Sequence, residues 1–112
     1  MSLAATARLL TLLRLNSKDG RVGLLSIECL LLVADGPKTL AELERLTGSP
    51  NGRISTAVRS LCPWYSRKDE RVVEPVLPLL KRVKRPDRRA PVVHLSAMGE
   101  QILREAGLIC EQ

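Results

Sequence analysis

Hydrophobic positions recur at helical spacing through the first half of the chain and alternate like a strand near its end. Over Ser2–Leu15, Leu3, Leu10 and Leu13 fall near one face, and Leu9 and Leu12 widen the stripe, which predicts a first helix. Asn16-Ser17-Lys18-Asp19-Gly20 breaks the pattern. A second helix is predicted over Val22–Ala34. There Leu24, Leu25, Ile27, Leu30, Leu31, Leu32 and Val33 leave almost no polar side, the mark of a central helix. Gly36-Pro37 ends it.

Thr39-Leu40-Ala41-Glu42 has the form of a capping box, with Thr39 as N-cap and Glu42 reaching back. Leu40, Leu43 and Leu46 give the stripe of a short third helix, which Gly48 closes. Ser49 is the expected cap of the next helix, with Pro50 at its first position. In that helix, Pro50–Leu61, the predicted buried face is Ile54, Ala57, Val58 and Leu61. The opposite face carries Gly52, Ser55, Thr56 and Arg59, flanked by Arg53 and Ser60. None of these is bulky and apolar, so the face suits water or a groove.

Pro63 ends the helix, and the charged run Ser66–Arg71 predicts a surface loop. Pro75 and Pro78 rule out a regular central strand between them. Leu79–Lys84 then alternates as a strand, with Val92–Leu95 as its partner across a Pro86-Asp87 turn. Ser96 is placed to cap a last helix, Ala97–Ala106, which turns Ile102, Leu103 and Ala106 inward and stops at Gly107.

Composition adds two points. A chain of 112 residues fits one domain, and 45% hydrophobic residues without a single Phe imply a core of Leu, Val, Ile and Ala. The net charge of +6 is concentrated: Lys81–Arg89 holds six cations (Lys81, Arg82, Lys84, Arg85, Arg88 and Arg89) and one acid, Asp87. So many cations on one hairpin repel each other without a polyanionic partner.

Other chemistries are disfavoured. Cys29, Cys62 and Cys110 are widely spaced, and His94 is the single histidine, so neither a metal site nor a cofactor is expected. Cys29 and Cys62 suit the core. Unpaired thiols and the lack of a signal peptide favour a cytoplasmic location, and the apolar run Cys29–Ala34 is too short to cross a bilayer. Asp19, Asp35 and Asp69 form no carboxylate pair. Pro50-Asn51-Gly52 lacks the Lys-Ser/Thr of a phosphate loop. No nucleophile–base pair is visible, and no enzymatic activity is expected. Trp64 and Tyr65 read as anchors for their segment, with stacking on single-stranded nucleic acid as the other option.

The order helix, helix, helix, strand, basic turn, strand, helix resembles the winged helix-turn-helix domain, most closely that of the MarR family of bacterial regulators. Asp87-Arg88-Arg89 matches that family's wing turn, and Leu95-Ser96-Ala97-Met98-Gly99 the helix start that follows. Thr39-Leu40-Ala41-Glu42-Leu43 is similar to the start of its second helix, and Ser49–Leu61 to its recognition helix. The likeness spans Leu24–Leu103. It implies a mainly α fold with a small β-hairpin wing (α+β).

It also implies residues 21–96 as the DNA-binding domain, 1–20 as an N-terminal helix suited to dimerisation, and 97–112 as a C-terminal helix that packs on the core or dimerises. Ser49, Asn51, Arg53, Ser55, Thr56 and Arg59 then face the major groove. Arg53 or Arg59 suits guanine, and Asn51 suits adenine. Lys81, Arg82, Lys84, Arg85, Arg88 and Arg89 form the wing contacts, with Arg88 and Arg89 at the tip. The implied function is a homodimeric regulator that binds double-stranded DNA and represses by covering a promoter. The competing reading is a winged helix used as a protein-binding adaptor in a replication or transcription complex. Two departures stand out: Pro63–Pro78 separates recognition helix from wing, and the flanking helices are short, which removes support for small-molecule sensing.

Overall fold

A computed structural model describes residues 3–17, 22–75, 77–84, 86 and 90–109, with the Asn51 side chain outside the description. The chain runs α1 (Leu3–Asn16), α2 (Leu24–Asp35), β1 (Lys38–Thr39), α3 (Leu40–Thr47), α4 (Asn51–Arg59), β2 (Trp64–Ser66), β3 (Arg71–Val73), β4 (Leu80–Val83), β5 (Val92–Leu95) and α5 (Ala97–Ala106). The strands form a three-stranded sheet in the order β1-β5-β4 and a separate β2-β3 hairpin.

In α1, Leu9 and Leu13 are buried one turn apart, with Thr6 and Leu12 half-buried beside them. The expected stripe through Leu3 and Leu10 is corrected: Leu3 is 90% exposed and Leu10 45%. The leucines of α1 surround more of the helix than its partner α5 covers, and docking against α5 selects the Leu9–Leu13 side.

Helix α2 buries Ser26, Cys29, Leu30 and Val33, spaced i, i+3, i+4 and i+7. It packs on α3, α4 and β5, which accounts for its many apolar positions. It begins at Leu24, later than expected, and Leu24 itself stands in solvent.

The short strand β1 was not expected. It pairs antiparallel with β5, Lys38 opposite Val93 and Thr39 opposite Val92. Two residues are too few to show alternation. Thr39 then caps α3 as the sequence predicts: Glu42 N–H donates to Thr39 Oγ1 at 3.2 Å, and Thr39 N–H donates to Glu42 Oε1 at 3.2 Å. Leu43 is fully buried, whereas Leu46 is half-exposed and falls outside the expected stripe. Gly48 ends the helix at φ 74°, a left-handed conformation that favours glycine.

Helix α4 buries Ile54, Ala57 and Val58, and Leu61 follows them into the core, as predicted. Its cap differs. Pro50 holds the N-cap position in extended conformation and supplies no side-chain cap, while Ser49 N–H donates back to Thr47 Oγ1 at 3.2 Å. The first helical bonds run from Arg53 and Ile54 N–H to the Pro50 carbonyl.

Residues Pro63–Pro78 hold a further correction. The charged run read as a loop is the turn of the β2-β3 hairpin, with Trp64 opposite Val73, Tyr65 opposite Val72 and Ser66 opposite Arg71. Asp69 N–H donates to Ser66 Oγ, and the Ser66 hydroxyl donates to Asp69 Oδ2, both at 3.3 Å. This local Ser–Asp exchange sets the turn. Glu70 completes it at φ 52°.

Strands β4 and β5 pair antiparallel from Leu80–Leu95 to Val83–Val92, the expected hairpin. Helix α5 starts on a Ser96 cap, with Gly99 N–H donating to Ser96 Oγ at 3.1 Å, and ends at Gly107 in left-handed conformation. Ile102, Leu103 and Ala106 join Leu9, Leu13, Leu30, Ile54 and Leu80 in one core. Cys29 and Cys62 are buried in that core as expected; Cys110 lies outside the described residues.

Candidate nucleic-acid interface

The polar face of α4 is held outward by an anchor at the C-terminal end of the helix. Ser26 of α2 is buried, and its Oγ lies 3.1 Å from the Ala57 carbonyl and 2.8 Å from Ser60 Oγ. The Ser60 hydroxyl in turn donates to the Ala57 carbonyl at 2.6 Å. These bonds, with Ile54 and Val58 in the core, fix the rotation of α4 about its axis. Gly52, Arg53, Thr56, Arg59 and Ser60 are thereby exposed and Ser55 half-exposed, the face that the sequence predicts. Helix α4 contains two arginines and no acid.

The candidates on this face are not equivalent. The Arg53 side chain is exposed and makes no ion pair or hydrogen bond to a described residue. The Thr56 hydroxyl donates to the Gly52 carbonyl at 3.0 Å, which leaves its oxygen as an outward acceptor. Arg59 is directed elsewhere. Its guanidinium lies 4.7 Å from the centre of the Trp64 ring, a cation–π contact that sequence reading missed. Ser49 is half-buried at the junction of α3 and α4. An open groove of about 720 Å³ runs there, lined by Ala41, Glu44, Arg45, Gly48, Ser49 and Pro50.

The β4-β5 hairpin starts beside the end of α4, where Leu80 N–H donates to the Leu61 carbonyl at 2.9 Å. Strand alternation puts Lys81 and Arg82 on opposite faces, and Lys84 follows the end of β4. Lys81 and Lys84 are exposed, whereas Arg82 sits opposite the buried Val93 and is half-buried. Its Nε and Nη2 are shielded from solvent without a hydrogen-bond partner among the described residues. Arg82 lies close to Cys62: burial pushes that thiol up, and the Arg82 charge pulls against the rise. Arg85, Arg88 and Arg89, the remaining wing candidates, and Asp87 lie outside the described residues. The half-buried His94 also carries a shielded Nε2 with no hydrogen-bond partner among the described residues, which fits a structural role at the hairpin base.

Comparison with known proteins supports the architecture. The structure is similar to the transcriptional regulator BldR from Sulfolobus solfataricus, at a TM-score of 0.56 and 22% identity over 77% of this chain and 53% of that one. It is also similar to the adhesin competence repressor AdcR from Streptococcus pyogenes, at a TM-score of 0.56 and 16% identity over 91% of this chain and 67% of that one. The fold is a winged helix-turn-helix. In this fold α3 and α4 form the helix-turn-helix, and β4-β5 the wing. The chain spans about half the length of BldR and two thirds that of AdcR. No protein-family model and no curated protein sequence matches it. No helix among the described residues is long and apolar enough to cross a membrane, and no described group of His, Cys, Asp and Glu is placed to hold a metal ion.

Proposed function

We propose that the protein is a sequence-specific regulator of transcription that binds double-stranded DNA. The observation that carries this reading is the acid-free, exposed face of α4 beside the base of a cationic β-hairpin. A helix of this kind fits the major groove, while the wing lies along the backbone or the minor groove. Arg53 and Asn51 are the base-reading residues, Arg53 bidentate to guanine and Asn51 to adenine. Ser49, Ser55 and Thr56 serve phosphates or bases. Arg59 contributes from its place on Trp64. Lys81, Lys84, Arg85, Arg88 and Arg89 neutralise phosphates, and Arg82 braces the hairpin from within.

The protein acts as a homodimer, with residues 1–20 as the dimerisation helix and 97–112 packing on the core or dimerising, on either side of the winged domain of residues 21–96. Exposed Leu3 and Leu10 on α1 favour this arrangement. Covering a promoter would make it a MarR-like repressor. Selection of bound sequences from a random duplex pool tests the proposal. A two-fold symmetric consensus is the expected result. Duplex binding with no consensus overturns sequence specificity, and the absence of duplex binding at low salt overturns the proposal.

A further inference from the structure

The β2-β3 hairpin separates the recognition helix from the wing, and a connector of a few residues would serve the topology as well. Instead the chain builds an ordered hairpin and ties it to α4. Arg59 at the end of α4 stacks on Trp64 in β2, and Ser66 is buried at the start of the turn. Arg67, Lys68 and Arg71 are exposed, and none forms an ion pair with a described residue. The acids beside them are Asp69, Glu70 and Glu74; the Asp69 carboxylate is engaged by the Ser66 hydroxyl within the turn. Strand register puts Arg71 on the same side of the hairpin as Trp64, the side against which Arg59 lies. On the other side, Tyr65 and Val72 face each other across the strands, 59% and 57% exposed.

We infer that the β2-β3 hairpin is a second nucleic-acid arm, placed at the C-terminal end of the recognition helix. Arg67, Lys68 and Arg71 meet duplex phosphates there. The inference rests on the proposed duplex binding. It makes Arg59 a positioning residue: its stack on Trp64 sets the angle between helix and arm.

The test uses the full chain and the duplex selected above, with affinity measured across a salt series and the contacts mapped by hydroxyl-radical footprinting. Replacing Arg67, Lys68 and Arg71 together with Ala should reduce the salt slope by about 2–3 units, at roughly 0.9 per lost phosphate contact. It should also remove protection at one position in each half-site, the two related by the two-fold symmetry. An unchanged slope and footprint, with wild-type binding intact, overturns the arm and leaves duplex recognition standing. The same result with Tyr65→Ser abolishing capture of another protein would assign the hairpin to a protein partner, which also overturns it. Failure of the wild-type chain to bind any duplex overturns the underlying function. Should the triple variant lose its unfolding transition, Lys68→Ala alone, at an exposed turn position, reads the slope with an expected loss of about 0.9.

Discussion

Gly99 lies directly against the main-chain carbonyl of Leu79, with no room for a Cβ between them. Around this contact Ser96 N–H donates to the Leu79 carbonyl at 2.9 Å, and the Ser96 hydroxyl donates to the Pro78 carbonyl at 2.6 Å. The first turn of α5 is thereby clasped to the chain entering the wing. The Ser-x-x-Gly spacing has a mechanical reason: serine caps the helix and holds the strand, and glycine lets the two backbones meet.

Gly99→Ala should therefore destabilise the protein by about 2–4 kcal/mol, because backbone rather than a flexible side chain must move. Gly52→Ala, in open space on α4, should be neutral or stabilising by about 0.5–1 kcal/mol. Urea unfolding of both variants checks the contrast. Equal effects would show that α5 does not approach the strand this closely.

Ser26→Ala removes the hydroxyl that bridges α2 to α4 and should lower stability by about 1 kcal/mol. If the bridge sets the rotation of the recognition helix, duplex discrimination should fall as well. Comparing selected with scrambled duplex binding at a temperature where the variant is fully folded checks this.

Arg53→Ala should relax sequence preference at one base pair, at about 1–3 kcal/mol for the cognate site. Arg59→Ala should weaken discrimination less, because its guanidinium is already engaged by Trp64. Competition binding on a panel of single-base variants separates the two. Equal losses on cognate and random duplex would reduce Arg53 to a phosphate contact.

The Thr39 backbone N–H holds the Glu42 carboxyl below its ordinary range against the opposing effect of desolvation, helped by the Thr39 hydroxyl and by Lys38 and Arg45. A depressed carboxylate contributes stability above the unfolded-state value, and that contribution is lost as pH falls through the folded value. Glu42→Gln should therefore flatten the decline in stability below about pH 4.5. Thr39→Ala should cost about 1 kcal/mol at neutral pH. Unfolding midpoints from pH 3 to 7, as about five points across that window, decide it.

Burial, with Glu28 nearby, pushes the Cys29 thiol up to about 11. A raised folded value means that stability is intact below the unfolded-state thiol value and declines as pH rises toward 11. Cys29→Ala should remove that part of the alkaline decline. Alkylation of Cys29 at neutral pH should follow global unfolding, measured by trapping in a urea series.

The cap of α3, the buried face of α4, the wing strands and the last helix were legible because each rests on local chemistry: a Thr-x-x-Glu box, i and i+3 spacing, alternation, and Ser and Gly punctuation. Sequence alone therefore determined the order of the helices and the wing strands and the outward face of α4. Tertiary structure decided which leucines of α1 are covered, because a helix with apolar residues on several sides takes its orientation from its partner. It decided that Arg59 rests on Trp64 and that Arg82 turns inward toward Cys62, since both depend on contacts between segments. It also made a hairpin of Trp64–Val73, where two three-residue strands are too short to show a period and the charge of the turn hides the pairing that Ser66 and Asp69 set.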